Sequence, residues 1–148
     1  MEMHIVTWNT AYGTMENAMT HPDGLAVLAF LFEVAGYDNP VFTRLTKTLN
    51  GIQNPDDEED VQVFPLINLI QHNHKYYRYQ GGLTTPPCSE VVQWTIFRDT
   101  IHISKSQMSA FRKLKSPGIN GTSQPLVNNF RPVQPINYRK VQASFLPL

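Results

Sequence analysis

The chain has 148 residues, room for one domain and not comfortably for two. Its 12 basic and 12 acidic side chains cancel, so no field of one sign is available to draw in nucleic acid or an anionic membrane. Its longest uninterrupted apolar run, Leu25 to Phe32, is far short of the roughly 20 residues a spanning helix needs.

Met3 to Trp8 alternates loosely and contains Ile5, Val6 and Trp8, which predicts a strand. The same alternation places Glu2 and His4 on one face of it. A carboxylate beside an imidazole is the usual partner that fixes the tautomer of a metal-bound histidine. A hydrogen-bonded core histidine is the plainer reading of His4 alone. Gly24 to Val34 is almost continuously apolar, bounded by Pro22-Asp23-Gly24 and by Gly36, and reads as a central strand. Val41, Phe42, Leu45, Leu49 and Ile52 then recur at helical spacing, with Pro40 suited to a first turn.

Asn54 to Asp60 is acidic and reads as a solvated loop. It lacks the alternating ligands and turn glycine of a calcium loop. Pro65 to Gln71 reads as a short helix. His72-Asn73-His74 could chelate an ion if it lay on a strand. Its polar setting between a helix end and a strand start favours an exposed connection. Tyr76 to Gln80 is an aromatic-rich strand, ended by Gly81-Gly82.

Leu83-Thr84-Thr85-Pro86-Pro87-Cys88 follows. Two successive prolines stiffen the backbone and hold the preceding hydroxyls in place. Such a hydroxyl could orient a nucleophile, although on composition alone a plain inter-strand turn is the better reading. Val91 to Phe97 and Ile101 to Ile103 read as strands. Ser104 to Gln107 has capping-box spacing and opens a helix through Phe111 and Leu114. Ser116 to Gln124 reads as a loop. Prolines at 125, 132, 135 and 147 exclude a long helix from the tail. The expected class is mainly β (α+β), with a few peripheral helices. Cys88, the only cysteine, cannot form an internal disulfide.

Four blocks in order carry a resemblance. Glu2-Met3-His4-Ile5-Val6-Thr7-Trp8-Asn9 resembles the third-ligand strand of the alpha-class carbonic anhydrases, and Pro22 to Leu28 their next core strand. Tyr79 to Glu90, followed by Val91-Val92-Gln93-Trp94, is similar to their active-site loop and following strand. Asn129-Phe130-Arg131-Pro132-Val133-Gln134-Pro135 is similar to their C-terminal signature.

The resemblance runs from Glu2 to Phe145 but spans only a little more than half of the family's domain. It implies one incomplete domain over residues 1–148, lacking its N-terminal part. The fold would be a partial central, mostly antiparallel twisted sheet with short helices around it and some strand edges left open. The implied activity is zinc-dependent, reversible hydration of CO2 to bicarbonate and a proton in the full-length parent, with this chain alone inactive. A non-catalytic carbonic-anhydrase-like binding or matrix protein is the alternative.

By position, the resemblance makes His4 the third zinc ligand and Glu2 the carboxylate that accepts its free ring N–H. Thr84 would be the gatekeeper that orients the zinc-bound hydroxide, and Thr85 would contact bicarbonate. Val6, Val27, Leu83, Val92 and Trp94 would form the apolar wall for CO2. A cis bond is implied between Pro86 and Pro87. The other two histidine ligands and the glutamate partner of Thr84 belong upstream of Met1 and are absent. His72 and His74 do not match that pair by position, and Thr7 stands where many members carry histidine. The resemblance pairs Cys88 with a cysteine near the start of the domain, which points to an extracellular parent, secreted or membrane-anchored. Asn120-Gly121-Thr122 is a glycosylation sequon in a predicted loop and points the same way.

Overall fold

The fold is a computed structural model that describes residues 1–70 and 75–146. The histidines at 72 and 74 lie outside the described residues. The strands are β1 (Glu2–Trp8), β2 (Leu25–Ala35), β3 (Tyr76–Gly81), β4 (Val92–Phe97), β5 (Ile101–Ser104), β6 (Lys115–Pro117), β7 (Ser123–Pro125) and β8 (Gln142–Ala143). The α-helices are α1 (Met15–Ala18), α2 (Pro40–Thr48) and α3 (Lys105–Arg112). These elements fall into two compact units.

The first unit is built from Met1–Phe32, residues 75–100 and residues 130–146. Its sheet runs in the order β1-β2-β4-β3-β8. The β1–β2, β3–β4 and β3–β8 pairs are antiparallel, and β2–β4 is parallel. The expected predominance of antiparallel pairing therefore holds, within a mixed sheet. β2 lies between β1 and β4, so its backbone is paired on both edges, and it buries Leu25, Val27, Ala29 and Phe30 while Ala26, Leu31 and Val34 stay exposed. β1 is an end strand with one edge free of strand partners among the described residues.

Between β1 and β2 the chain turns through two short helical segments. Asn9 caps the 3-10 turn Thr10–Tyr12, and Thr14 caps α1 by accepting from the Asn17 amide. The turn then closes tightly on Gly24. An added Cβ there would lie 1.6 Å from the carbonyl oxygen of Ala18, so only glycine lets the two backbones meet.

The second unit is built from residues 33–70 and Ile101–Asn129. Asn39 caps α2 and Pro40 occupies its first turn. Ser104 and Gln107 form the expected capping box on α3. Gln107 does more than cap. Its Oε1 accepts from the Asn39 amide at 2.8 Å and its Nε2 donates to the Asn39 carbonyl at 2.7 Å. Both residues are buried. This reciprocal pair joins the N-terminal ends of α2 and α3 and satisfies backbone groups that a helix start leaves orphaned. Phe42, Leu49, Ile101, Ile103 and Met108 are buried in the same unit.

Two readings differ from what folds. Of the segment expected as a helix over residues 65–71, the described residues form a single 3-10 turn, Leu66–Leu69, and residue 71 lies outside them. The stretch 116–124, expected as a loop, is a hairpin of β6 and β7 with Ser116 opposite Gln124. Its strands are three residues long and carry Ser, Gln and Pro, so no hydrophobic alternation announces them.

Candidate functional site

Paired residues of neighbouring strands project from the same face of a sheet, and successive residues alternate. In the first unit, Val6 pairs with Val27, Val27 with Trp94, and Trp94 with Tyr79. These four side chains form one row across β1, β2, β4 and β3. The row on one side holds Trp8, Leu25, Val92 and Gly81, and the row on the other holds His4, Ala29, Ile96 and Tyr77. Glu2 follows His4 on that face, opposite Leu31. His4, Glu2, Val6, Val27, Val92 and Trp94 thus share one side of one sheet.

The face is packed at its centre and open at its β1 end. Val27 is 2% exposed and Val6 48%. Trp94 lies in a buried cluster with Leu25, Val27, Ala29 and Val92, and Leu83 packs against it. The imidazole of His4 meets the Trp94 indole edge to face, with centroids 5.0 Å apart and rings inclined at 72°. Glu2 Oε1 lies 3.6 Å from His4 Nε2. That separation is an ion-pair approach and longer than a hydrogen bond.

Trp94 also anchors the loop that carries the threonines. Its indole N–H donates to the Gly82 carbonyl at 3.1 Å. The Leu83 amide donates to Ser89 O at 3.0 Å, and Arg131 Nη1 donates to Leu83 O at 3.2 Å. The Pro86–Pro87 bond is cis, as the resemblance implies, and the Cys88 amide donates to Thr85 O at 2.9 Å. Together these form a turn with a cis proline at its third position. Thr84 and Thr85 are exposed at the outer end of this braced loop. Among the described residues the Thr84 hydroxyl takes no hydrogen-bond partner.

A cleft of about 420 Å³ opens beside this loop, lined by Thr84, Trp94, Tyr79, Arg131 and Arg139 among others. Burial pushes the Tyr79 phenol above its ordinary pKa, opposed by the nearby Arg139 charge. Arg131, Arg139 and Tyr79 carry no role in the sequence reading. Arg131 falls inside the recognised C-terminal block, and an arginine flanked by Phe130 and Pro132 was the available signal.

The donor set does not by itself fit a zinc centre. A structural or catalytic zinc takes four ligands, three from protein in catalytic sites. Among the described residues no three His, Cys, Asp or Glu side chains gather to hold an ion. His4 offers one imidazole, with Glu2 at its side. Cys88 is a half-buried free thiol. Asn120 is exposed, with left-handed backbone angles.

The eukaryotic-type carbonic anhydrase family profile matches residues 1–145. Carbonic anhydrase 6 of Mus musculus is 40% identical over 148 residues, covering 99% of this chain and 46% of that protein. Carbonic anhydrase 3 of Homo sapiens is 37% identical over 144 residues, covering 97% and 55%. Carbonic anhydrase 15 of Mus musculus is 38% identical over 149 residues, covering 97% and 46%. The chain spans about half the length of the curated relatives it matches. With its histidine strand, apolar face and proline-braced threonine loop in one unit, and nearly every residue matched by one profile, this chain belongs to the eukaryotic-type carbonic anhydrase family.

Proposed function

We propose that the protein to which this chain belongs interconverts CO2 and bicarbonate with zinc, and that the chain supplies one side of that site. The observation that carries the reading is the shared face. His4 and the apolar row of Val6, Val27 and Trp94 stand on one side of the sheet, and Trp94 holds the Thr84 loop by its indole N–H.

Each group has a physical task in this reading. CO2 carries no net charge, so Val6, Val27, Leu83, Val92 and Trp94 suit it as a wall that excludes water without competing polar groups. The Thr84 hydroxyl, held by a braced loop and free of protein partners among the described residues, can accept one hydrogen bond and fix the direction of an attacking oxygen. Thr85 stands next to it for a bicarbonate oxygen. His4 serves as one zinc ligand, with Glu2 restraining its ring. Among the described residues no further side chains gather with His4 to complete a zinc site, and in this reading the two other ligands come from the part of the parent that the relatives have and this chain does not span. The free thiol of Cys88 fits a parent that is extracellular, where a disulfide partner could persist.

The test has two arms. The isolated chain should bind zinc weakly and show no CO2 hydration or esterase turnover. Tight one-to-one zinc with turnover would overturn the assignment of the missing ligands to another segment. The chain extended along its transcript should bind zinc and turn over, and His4→Ala should abolish both. An extended protein that takes no zinc would instead favour a non-catalytic carbonic-anhydrase-like binding or matrix protein.

A further inference from the structure

We infer that Asn120 is an N-glycan acceptor presented at the tip of the β6–β7 hairpin. Asn120-Gly121-Thr122 is the only Asn-x-Ser/Thr sequence in the chain with x other than proline. A sequon alone is a pattern; the folded hairpin adds the geometry. β6 and β7 pair from Lys115–Pro125 to Pro117–Ser123, and the Gly118 amide donates to the Thr122 carbonyl at 2.6 Å to close the loop. The sequon therefore occupies a tight turn and not a buried strand.

At that turn Asn120 has φ 61° and ψ 32°, a left-handed conformation asparagine accepts more readily than most residues. Asn120, Gly121 and Thr122 are all exposed. A Cβ built on Gly121 meets no atom within 4 Å, so the apex stands in open solvent. A bulky polar substituent on Asn120 has room there and costs the core nothing.

The step is a group transfer from a lipid-pyrophosphate-linked oligosaccharide. Asn120 Nδ2 forms a bond to the anomeric carbon of the sugar and gives up a proton to a base of the oligosaccharide-transferring enzyme of the secretory pathway. The bond between that carbon and the pyrophosphate oxygen breaks, and the lipid pyrophosphate leaves. Nothing in this assignment depends on the catalytic reading.

The full chain, carried behind a cleavable secretion signal in eukaryotic cells, tests it. Total chain is analysed, secreted and retained, because transfer occurs during synthesis. One glycan is expected, removed by peptide N-glycosidase with conversion of Asn120 to Asp. Asn120→Asp and Thr122→Ala should each lose it, and Thr122→Ser should keep it. Wild-type chain without glycan would overturn the assignment. The exposed apex further requires that glycosylated and deglycosylated chains melt within about 2 °C of each other. A larger gap would contradict the open apex.

Discussion

The His4 imidazole rests against the Trp94 indole edge to face, 5.0 Å between centroids, while the same indole donates its N–H to Gly82. One side chain thus touches the histidine strand and ties down the threonine loop. Trp94→Phe keeps an aromatic ring but removes the donor, leaving the Gly82 carbonyl without this partner. The expected cost is about 1–3 kcal/mol in urea unfolding. Exchange of the Leu83 amide, bonded to Ser89 O, should quicken more than exchange at β2. Arg131→Ala removes the hydrogen bond to Leu83 O on the same loop, so the double variant should fall short of the sum of the two. Additive costs with unchanged Leu83 exchange would show that Trp94 does not brace the loop.

Much of this arrangement was legible in the sequence because it is periodic. The alternation of β1 and the apolar run of β2 are physical signatures of their positions in a sheet, and their observed limits differ from the expected ones by a residue. The capping box at Ser104 and Gln107 was legible for the same reason. The grouping of His4 with Trp94 came only from the family resemblance and not from any local pattern, because strand order and register between β2 and β4 are set by packing that no local pattern encodes. The reciprocal bonds of Gln107 with Asn39, 68 positions away, were equally hidden. The bracing of Leu83 by Arg131 was hidden too, since a single arginine in a proline-rich tail has no periodicity to read.

Gln107 is therefore a sharper test of the second unit than its capping role suggests. Gln107→Ala would leave the Asn39 amide and carbonyl without this partner at a buried site, and the Ser104 amide would lose one as well. The expected destabilisation is about 2–4 kcal/mol, above the roughly 1 kcal/mol of an ordinary cap residue. Gln107→Glu keeps the acceptor; ionised at neutral pH it has no donor for Asn39 O, and protonated at low pH it regains an O–H donor, so its cost should be larger at neutral pH and intermediate at low pH. A cost for Gln107→Ala no larger than a cap's would mean the inter-helix pair contributes little.

Two glycines separate close approach from backbone conformation. Gly24→Ala would press a methyl to 1.6 Å from the Ala18 carbonyl oxygen, which neither backbone can relieve locally. It should join the rare substitutions costing more than about 4 kcal/mol, seen as insoluble or unfolded chain. Gly13 has φ 79° with nothing within 4 Å of an added Cβ. With ψ −46° it lies outside the left-handed helical well, so Gly13→Ala should cost the backbone strain alone, about 1–3 kcal/mol. Equal effects at the two positions would refute this distinction.

Beside these glycines, the Tyr12 hydroxyl donates to Asp23 Oδ1 at 2.5 Å, and its ring stacks on His21 with centroids 3.9 Å apart. The hydrogen bond to Asp23 raises the Tyr12 pKa above its ordinary value of 10.0, helped by partial desolvation and by the Asp23 charge. The folded state therefore favours the protonated phenol. Its contribution to stability is fully present below the ordinary tyrosine value and is lost as pH rises through the raised one. Asp23→Asn removes the carboxylate and should bring the Tyr12 midpoint back toward that of a free tyrosine. The loss of stability over this alkaline window should flatten accordingly. Carbon-detected NMR titration of the Tyr12 ring reads the midpoint directly. An unchanged midpoint in Asp23→Asn would mean that the hydrogen bond to Asp23 does not hold the phenol's proton.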